Sequence, residues 1–547
     1  MKVVVGTGPE VAMTKQVDGY FTASVPGAAP GTRYSFYVDG RGPFPDPASR
    51  YQPEGVHGPS LVVDPSSYQW HDAAWTGIAL RDAVFYELHV GAFTPEGTYR
   101  AAAGKLAYLK DLGITAIELM PLSDFAGDRN WGYDGVAPFA PARPYGTPDE
   151  LRAFIDQAHQ LGLAVFLDVV YNHFGPDGAY QSTFSSHYFT KRHHTPWGDA
   201  VNYDSALSEP VREYVIENAL RWVNEYHFDG LRLDATHAIK DDSSPHILAE
   251  LKAKLGPRVL VIAEDCRNLA ELVKPASQGG LGLDAIWADD FHHQMRRFLA
   301  GDRDGYFAPY PDSIASLVNI IKRGWMRGNS DTTGIDTFRF VFCIQNHDQI
   351  GNRAVGDRLH HNIDLPTYRA ASALLLLLPQ TPLLFMGQEW AAATPFRFFT
   401  DHHDELGRLV TEGRRREFSF SQSSIPDPQL LETFQASKLR WDELSAEPHA
   451  SVLRLYKSLL QMRRLEPVPG HFHIEALDDD TLLLQRSVVS AVIRLRGHGE
   501  VDVRGMVNLQ NRLWDSEERQ PPILIDSRIH FAQPGAIVFR TIQKEER

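Results

Sequence analysis

Eight apolar, strand-like runs separated by amphipathic helical stretches constrain what this chain can fold into more than any other feature. The runs are VFYELHV (84–90), AIELMP (116–121), AVFLDVV (164–170), GLRLDA (230–235), VLVIAED (259–265), DAIWAD (284–289), RFVFCIQNHD (339–348) and PLLFMGQEW (382–390). Between them lie helical patterns such as DELRAFIDQAHQLG (149–162), EPVREYVIENALRWVNEYH (209–227) and LPTYRAASALLLLLP (365–379). Strand and helix in strict alternation give a parallel sheet, and eight such units close it into a barrel. An open doubly wound sheet is the other arrangement. It usually has fewer strands and a glycine-rich phosphate loop, and no GxGxxG follows the first run.

The flanks read differently. Residues 1–80 are rich in Gly and Pro, with short alternating stretches such as TRYSFYVDG and SLVVDP, and are expected to form an N-terminal β-sandwich of immunoglobulin-like type. Residues 469–547 carry alternating runs such as DTLLLQRSVVSAVIRLRG and are expected to form a C-terminal all-β domain. The fold class is therefore α/β, a (β/α)8 TIM barrel over residues 81–468 between two β domains, with a polar insertion at 172–205 after the third strand.

Composition excludes several function classes. The formal charge is −15 with no Lys/Arg-rich block, so neither nucleic acid nor an anionic membrane surface is an expected partner. The longest pure apolar run, Ala373 to Leu378, is too short to span a bilayer, and MKVVVGTGPE does not resemble an export signal. A cytoplasmic location is expected. Cys266 and Cys343 are the only cysteines and are expected to be reduced core thiols.

Acidic and polar residues recur where the strand runs end: Asp168, Asn172, His173, Arg232, Asp234, His237, Glu264, His347, Asp348 and Glu389. In a parallel barrel those ends converge on one mouth. A single such carboxylate is as easily an ion pair or a cap; several from different strands crowd like charges, which catalysis explains and packing does not. Paired carboxyls suit acetal hydrolysis, which needs a nucleophile and a proton donor. Arg232, two residues before Asp234, points to the same side of its strand and would keep that carboxylate ionised. Glu264, beside Asp234 and Asp348, is expected to have its pKa raised by their charge.

DVVYNH, GLRLDATH, IAED and QNHD, in that order and on the third, fourth, fifth and seventh strands, resemble the four motif regions of the alpha-amylase family of glycoside hydrolases. The resemblance implies Asp234 as nucleophile, Glu264 as general acid/base and Asp348 as the residue gripping the distorted sugar. It also implies that His173, His347 and Arg232 support the cleavage subsite, with Tyr133 of NWGYDGVAPF beneath the sugar. The finer text, FCIQNHDQIGNRAVGDRL, FMGQEW, TPFRFFTDH, GRRREF and FPDPASRYQPEGVHGPSLVVDP, resembles a trehalose-releasing branch of that family over nearly the whole chain. That branch implies cleavage of the α-1,4 bond next to the terminal trehalose of maltooligosyltrehalose or a related α-glucan, and a functional link to maltooligosyltrehalose synthase. Chains of this branch usually begin with a further strand before the region starting here at Met1, so the sandwich is expected to lack its first strand.

Trehalose selection is expected from Gln349, Arg353, Glu389, Asp401 and His402, with His237 also lining the site. Trp131 and Trp197 could stack on sugar faces or pack in the core. No cofactor is expected, and no metal: the adjacent histidine pairs do not suit one ion, no HExxH occurs, and Asn172, at a position that ligates calcium in some amylases, lacks a full oxygen set. A glucan branching or debranching enzyme of the same superfamily, or more distantly a non-catalytic glycan-binding protein, remain the alternatives.

Overall fold

The computed structural model describes residues 1–326, 331–418, 425–466, 470, 472–515 and 520–541. The eight apolar runs form one closed parallel barrel. Its strands, numbered one to eight, are Phe85–Leu88, Ala116–Leu119, Ala164–Val169, Gly230–Leu233, Leu260–Glu264, Ala285–Trp287, Phe340–Cys343 and Thr381–Phe385. Strand eight closes on strand one, with Leu383 opposite Phe85.

Strand alternation sorts the side chains into two cores. Outward residues such as Tyr86, Leu88, Ile117, Val165 and Leu167 pack under the helices, while Phe85, Ala116, Phe166, Ile262 and Val341 fill the barrel interior. Each fully buried large apolar side chain contributes about 1.5–3 kcal/mol relative to exposure. Leu80, with Trp75 and Ile78, packs against the interior cluster from the segment preceding strand one. Further along the strands the inward positions become polar: Glu87 stands opposite Glu118, and Asp168 opposite Arg232.

Local signals set the helix ends. Thr147 and Glu150 form a reciprocal capping box with Pro148 in the first turn of helix Pro148–Gln160. Helix Glu209–Tyr226 stops at His227, whose left-handed φ of 58° turns the chain toward strand four. The insertion after strand three contains an antiparallel hairpin, Phe189–Thr195 with Gly198–Val201. Among the described residues no helix is long and apolar enough to cross a membrane.

At the N-terminal end, Arg33–Val38 is the centre of an antiparallel sheet, pairing with Lys2–Val5, Arg41–Phe44 and Ser60–Leu61. Its Val3 and Val38 are buried. At the C-terminal end a five-stranded sheet faces a three-stranded one. Leu483, Val492 and Ile537 point into the space between them, whereas Leu482, Leu484 and Ile493 join the barrel's outer core. Cys343 is buried inside the barrel, but Cys266 is exposed after strand five: the chain has left the strand at Glu264, so Cys266 is not a core thiol.

Gly230 stands where the barrel wall has no room for a side chain. A Cβ there would lie 2.2 Å from the Phe166 ring and 2.5 Å from the Leu260 carbonyl oxygen. Gly230→Ala is expected to destabilise the protein by about 1–3 kcal/mol, read as a lower urea midpoint at unchanged slope.

Candidate active site

The mouth of the barrel is organised around Arg232, whose side chain is 1% exposed. Its Nη1 donates to Asp168 Oδ2 at 2.7 Å and to Asp234 Oδ1 at 3.0 Å, and its Nη2 lies 2.8 Å from Glu264 Oε2. The guanidinium stacks over the Trp287 ring, 4.2 Å from its centroid. One planar fork thus holds carboxylates from strands three, four and five, a task its fixed donor geometry suits.

Each carboxylate has further partners. Asn172 Nδ2 donates to Asp234 Oδ2 and to the Asp234 carbonyl, both at 2.8 Å, while its Oδ1 meets His173 Nδ1. Asn172 therefore positions Asp234. His173 Nε2 lies 3.0 Å from the Tyr133 carbonyl, and its ring stacks on Trp197 at 4.3 Å. The Ala235 N–H donates to Glu264 Oε2 at 2.8 Å. Ala235 reaches that pose with φ at 42°, a left-handed conformation costly for a residue with a Cβ, directly after Asp234.

Burial pushes the Glu264 carboxyl up to about 8; the charges of Asp234, Asp348 and Asp289 add to this, and Arg232 opposes it. The neighbouring charges expected to raise it do so, but burial is the larger cause. Asp348 lies in the first turn of helix His347–Gly351 and accepts from Asn352 Nδ2 at 2.5 Å. Its carboxyl is also raised by burial, with His347 and Arg232 pulling the other way. Tyr133 donates its hydroxyl proton to Asp168 Oδ2 at 2.6 Å, and its oxygen lies 2.7 Å from His347 Nε2. A neutral acid and a guanidinium-bound carboxylate in one cluster are the pair that acid-assisted displacement at an acetal carbon requires.

Over 510 residues the chain is 50% identical to a malto-oligosyltrehalose trehalohydrolase from Deinococcus radiodurans, spanning 88% of this chain and 83% of that protein. It is 42% identical over 465 residues to one from Saccharolobus solfataricus, spanning 83% and 81%. The chain belongs to the malto-oligosyltrehalose trehalohydrolase family. The family model of the alpha amylase catalytic domain matches residues 65–202. A crystal structure of a Salmonella typhimurium protein described as an alpha amylase superposes with a TM-score of 0.90 at 38% identity, covering 99% of this chain and 96% of that one. A Paenibacillus barengoltzii pullulanase in complex with maltohexaose and alpha-cyclodextrin, at 20% identity and a TM-score of 0.72 over 99% and 92% of the two chains, shares the fold.

The remaining expected residues of this trehalohydrolase family member divide by position. His237 is half-buried beyond strand four, and burial lowers its pKa. Arg353 is paired with Asp302 at 3.0 Å and Asp357 at 2.8 Å. The Gln349 backbone N–H is capped by Asn346 Oδ1. Asp401 accepts the Asp128 N–H at 2.8 Å and pairs with Arg129 at 2.7 Å, and His402 Nε2 lies 3.3 Å from Asp134, so both tie the loop after strand eight to the loop after strand two. Glu389 corrects the expectation. It is fully buried, hydrogen-bonded to Tyr86 and Tyr108, because its turn directs it behind the barrel wall and away from the mouth.

Sequence reasoning missed Glu87, Glu118 and Asp289 as part of the polar layer. The signal for the first two was present: FYEL and AIEL each place a carboxyl in the middle of an apolar run, in phase with the inward Phe85 and Ala116. Elsewhere, His193, Asp204 and Asp242 present ligand atoms within 4.8 Å of one another, but Arg192 already pairs with both acids.

Removing Arg232 leaves Asp168, Asp234 and Glu264 without the cation that joins them. Arg232→Met is expected to cost about 3–5 kcal/mol at neutral pH. The deficit should shrink as pH falls and the carboxylates take up protons, a trend that denaturant titrations at several pH values would read out.

Proposed function

We propose that this chain is a retaining glycoside hydrolase that cleaves the α-1,4 bond beside the terminal trehalose of maltooligosyltrehalose, releasing trehalose. The observation that carries the chemistry is that Asp234 and Glu264 bind the two terminal nitrogens of one buried guanidinium. Retaining enzymes keep their two carboxyls roughly 5–5.5 Å apart and inverting ones roughly 6.5–9.5 Å. Two carboxyls sharing one guanidinium fit the shorter class. The substrate follows from membership of a family whose curated relatives reach 50% identity.

In this mechanism Glu264, protonated below about pH 8, donates its proton to the glycosidic oxygen while Asp234 attacks the anomeric carbon. The product of that step is a β-linked glycosyl-enzyme and a free trehalose end. Glu264, now ionised, takes a proton from water, which opens the intermediate with net retention. Asp348 grips the hydroxyls of the distorted sugar, and Tyr133, His173, His237 and His347 line the cleavage subsite. Gln349, Arg353, Asp401 and His402 bound the trehalose end; Glu389, being behind the wall, is left out of it. The reading includes a cytoplasmic setting and a substrate supplied by maltooligosyltrehalose synthase.

Incubation with maltooligosyltrehalose and with a plain maltooligosaccharide of equal length, followed chromatographically, tests the substrate. Rapid trehalose release from the first alone is expected, whereas a branching or debranching reaction would yield no free trehalose. Asp234→Asn should lower kcat by roughly three orders of magnitude or more while substrate binding persists. The rate should fall as pH rises through about 8, where Glu264 loses its proton.

A further inference from the structure

Glu87, which has no role in the chemistry above, begins a chain of contacts that leads into the cleavage subsite. Glu87 lies on strand one, 1% exposed, and its Oε2 accepts the His347 backbone N–H at 3.0 Å while its Oε1 meets the Nδ1 of the same residue. The other ring nitrogen, Nε2, lies 2.7 Å from the Tyr133 hydroxyl oxygen, and that hydroxyl is 2.6 Å from Asp168 Oδ2.

Three contacts in series need three protons. Tyr133 holds one and gives it to Asp168. Asp168 cannot return it, because Oδ2 already accepts the Arg232 N–H at 2.7 Å; a proton on that carboxyl would sit on Oδ1, which has no partner among the described residues. The ring must therefore supply Nε2–H to Tyr133, and the Nδ1 contact with Glu87 needs one proton more; an imidazole nitrogen is ordinarily the stronger base of the two, so the ring holds that proton as well. A neutral imidazole carries only one N–H.

We propose that Glu87 is a positioning residue that acts through His347: its acceptor-only carboxylate pins the imidazolium so that Nε2–H donates to Tyr133 and Tyr133 donates to Asp168. This rests on the reading that Tyr133, His347 and Asp348 line the cleavage subsite. The groups facing the ring are Glu87 from strand one, His89 just beyond it, Tyr133 from the loop after strand two, Asp168, Arg232, Asp289 and the adjoining Asp348. Burial disfavours the cation, and Glu87 is the largest influence restoring it, lifting the ring above the ordinary histidine value against Arg232. The cation in turn offsets the burial of Asp348. Glu118, opposite Glu87 on strand two, shows the alternative: neither of its oxygens has a partner among the described residues, and burial drives its pKa well up.

Glu87→Gln keeps the shape and one accepting oxygen but removes the charge. The ring signals of His347 in protein labelled with 15N-histidine, identified by their loss in His347→Gln, give a readout independent of turnover. They should remain those of an imidazolium through neutral pH in the wild type and in Glu87→Asp, and titrate to the neutral form about one pH unit or more lower in Glu87→Gln. In Glu87→Gln a second fall in kcat/KM should appear below the Glu264 limb, at the pH where the ring turns neutral; it should be absent in Glu87→Asp and absent when Glu87→Gln is added to His347→Gln. An imidazole that titrates identically with and without the Glu87 charge, or a loss of rate uniform across pH, overturns the proposal. A wild type with the expected ring signals but no trehalose release would refute the proposed function and leave the Glu87 assignment standing.

Discussion

The burial of one guanidinium among three carboxyls is the interaction on which the rest of this site depends. Arg232 could not be placed inside a barrel alone, since an unpaired buried charge costs several kcal/mol. Nor could Asp168, Asp234 and Glu264 be gathered there without it. The cluster exists because each partner removes the other's penalty, and Trp287 stacks on one face of the guanidinium. The arrangement is not symmetric. Glu264 sits deep enough that burial outweighs the guanidinium and leaves it protonated near neutral pH, whereas Asp234 keeps two donors, from Arg232 and Asn172, one on each oxygen. Two carboxyls on one cation thereby stand in different surroundings.

The scaffold holds that asymmetry by fixing backbone as well as side chains. Ala235, with φ at 42°, turns its N–H onto Glu264 within one residue of Asp234, so the position of the acid is tied to the strand that carries the nucleophile. Asn172 does the same for Asp234 from the loop after strand three. The loops above are cross-tied in turn, Asp401 to Asp128 and Arg129, and His402 to Asp134, which fixes the loop after strand eight against the loop after strand two. The five-stranded C-terminal sheet buries one face on the barrel helices and the other on its partner sheet, the expected consequence of period-two alternation in TLLLQR and VSAVIR.

Much of this was legible in the chain. Eight apolar runs with helical stretches between them specified a closed parallel barrel, because strand and helix periodicities are local properties of sequence. The acidic strand ends located the mouth, and Arg232 with Asp234 could be assigned to one side of a strand by their spacing alone. The cause of the Glu264 shift was not legible, since burial is a property of everything packed around a residue. Nor was the exposure of Cys266, which depends on where strand five stops.

What the sequence determined by itself is the set of strands, their order and the carboxyls they carry, all readable within a few residues. What only the tertiary structure decided is which of those carboxyls meet. Glu389 and Glu264 both follow apolar strands, yet one turns behind the wall to Tyr86 and Tyr108 while the other faces Arg232. Glu87, an ordinary acid in the middle of an apolar run, meets a histidine 260 residues away. The direction of a side chain at a strand end depends on the turn that follows, and contact between strands one and seven depends on closing the barrel; neither is encoded in any local pattern.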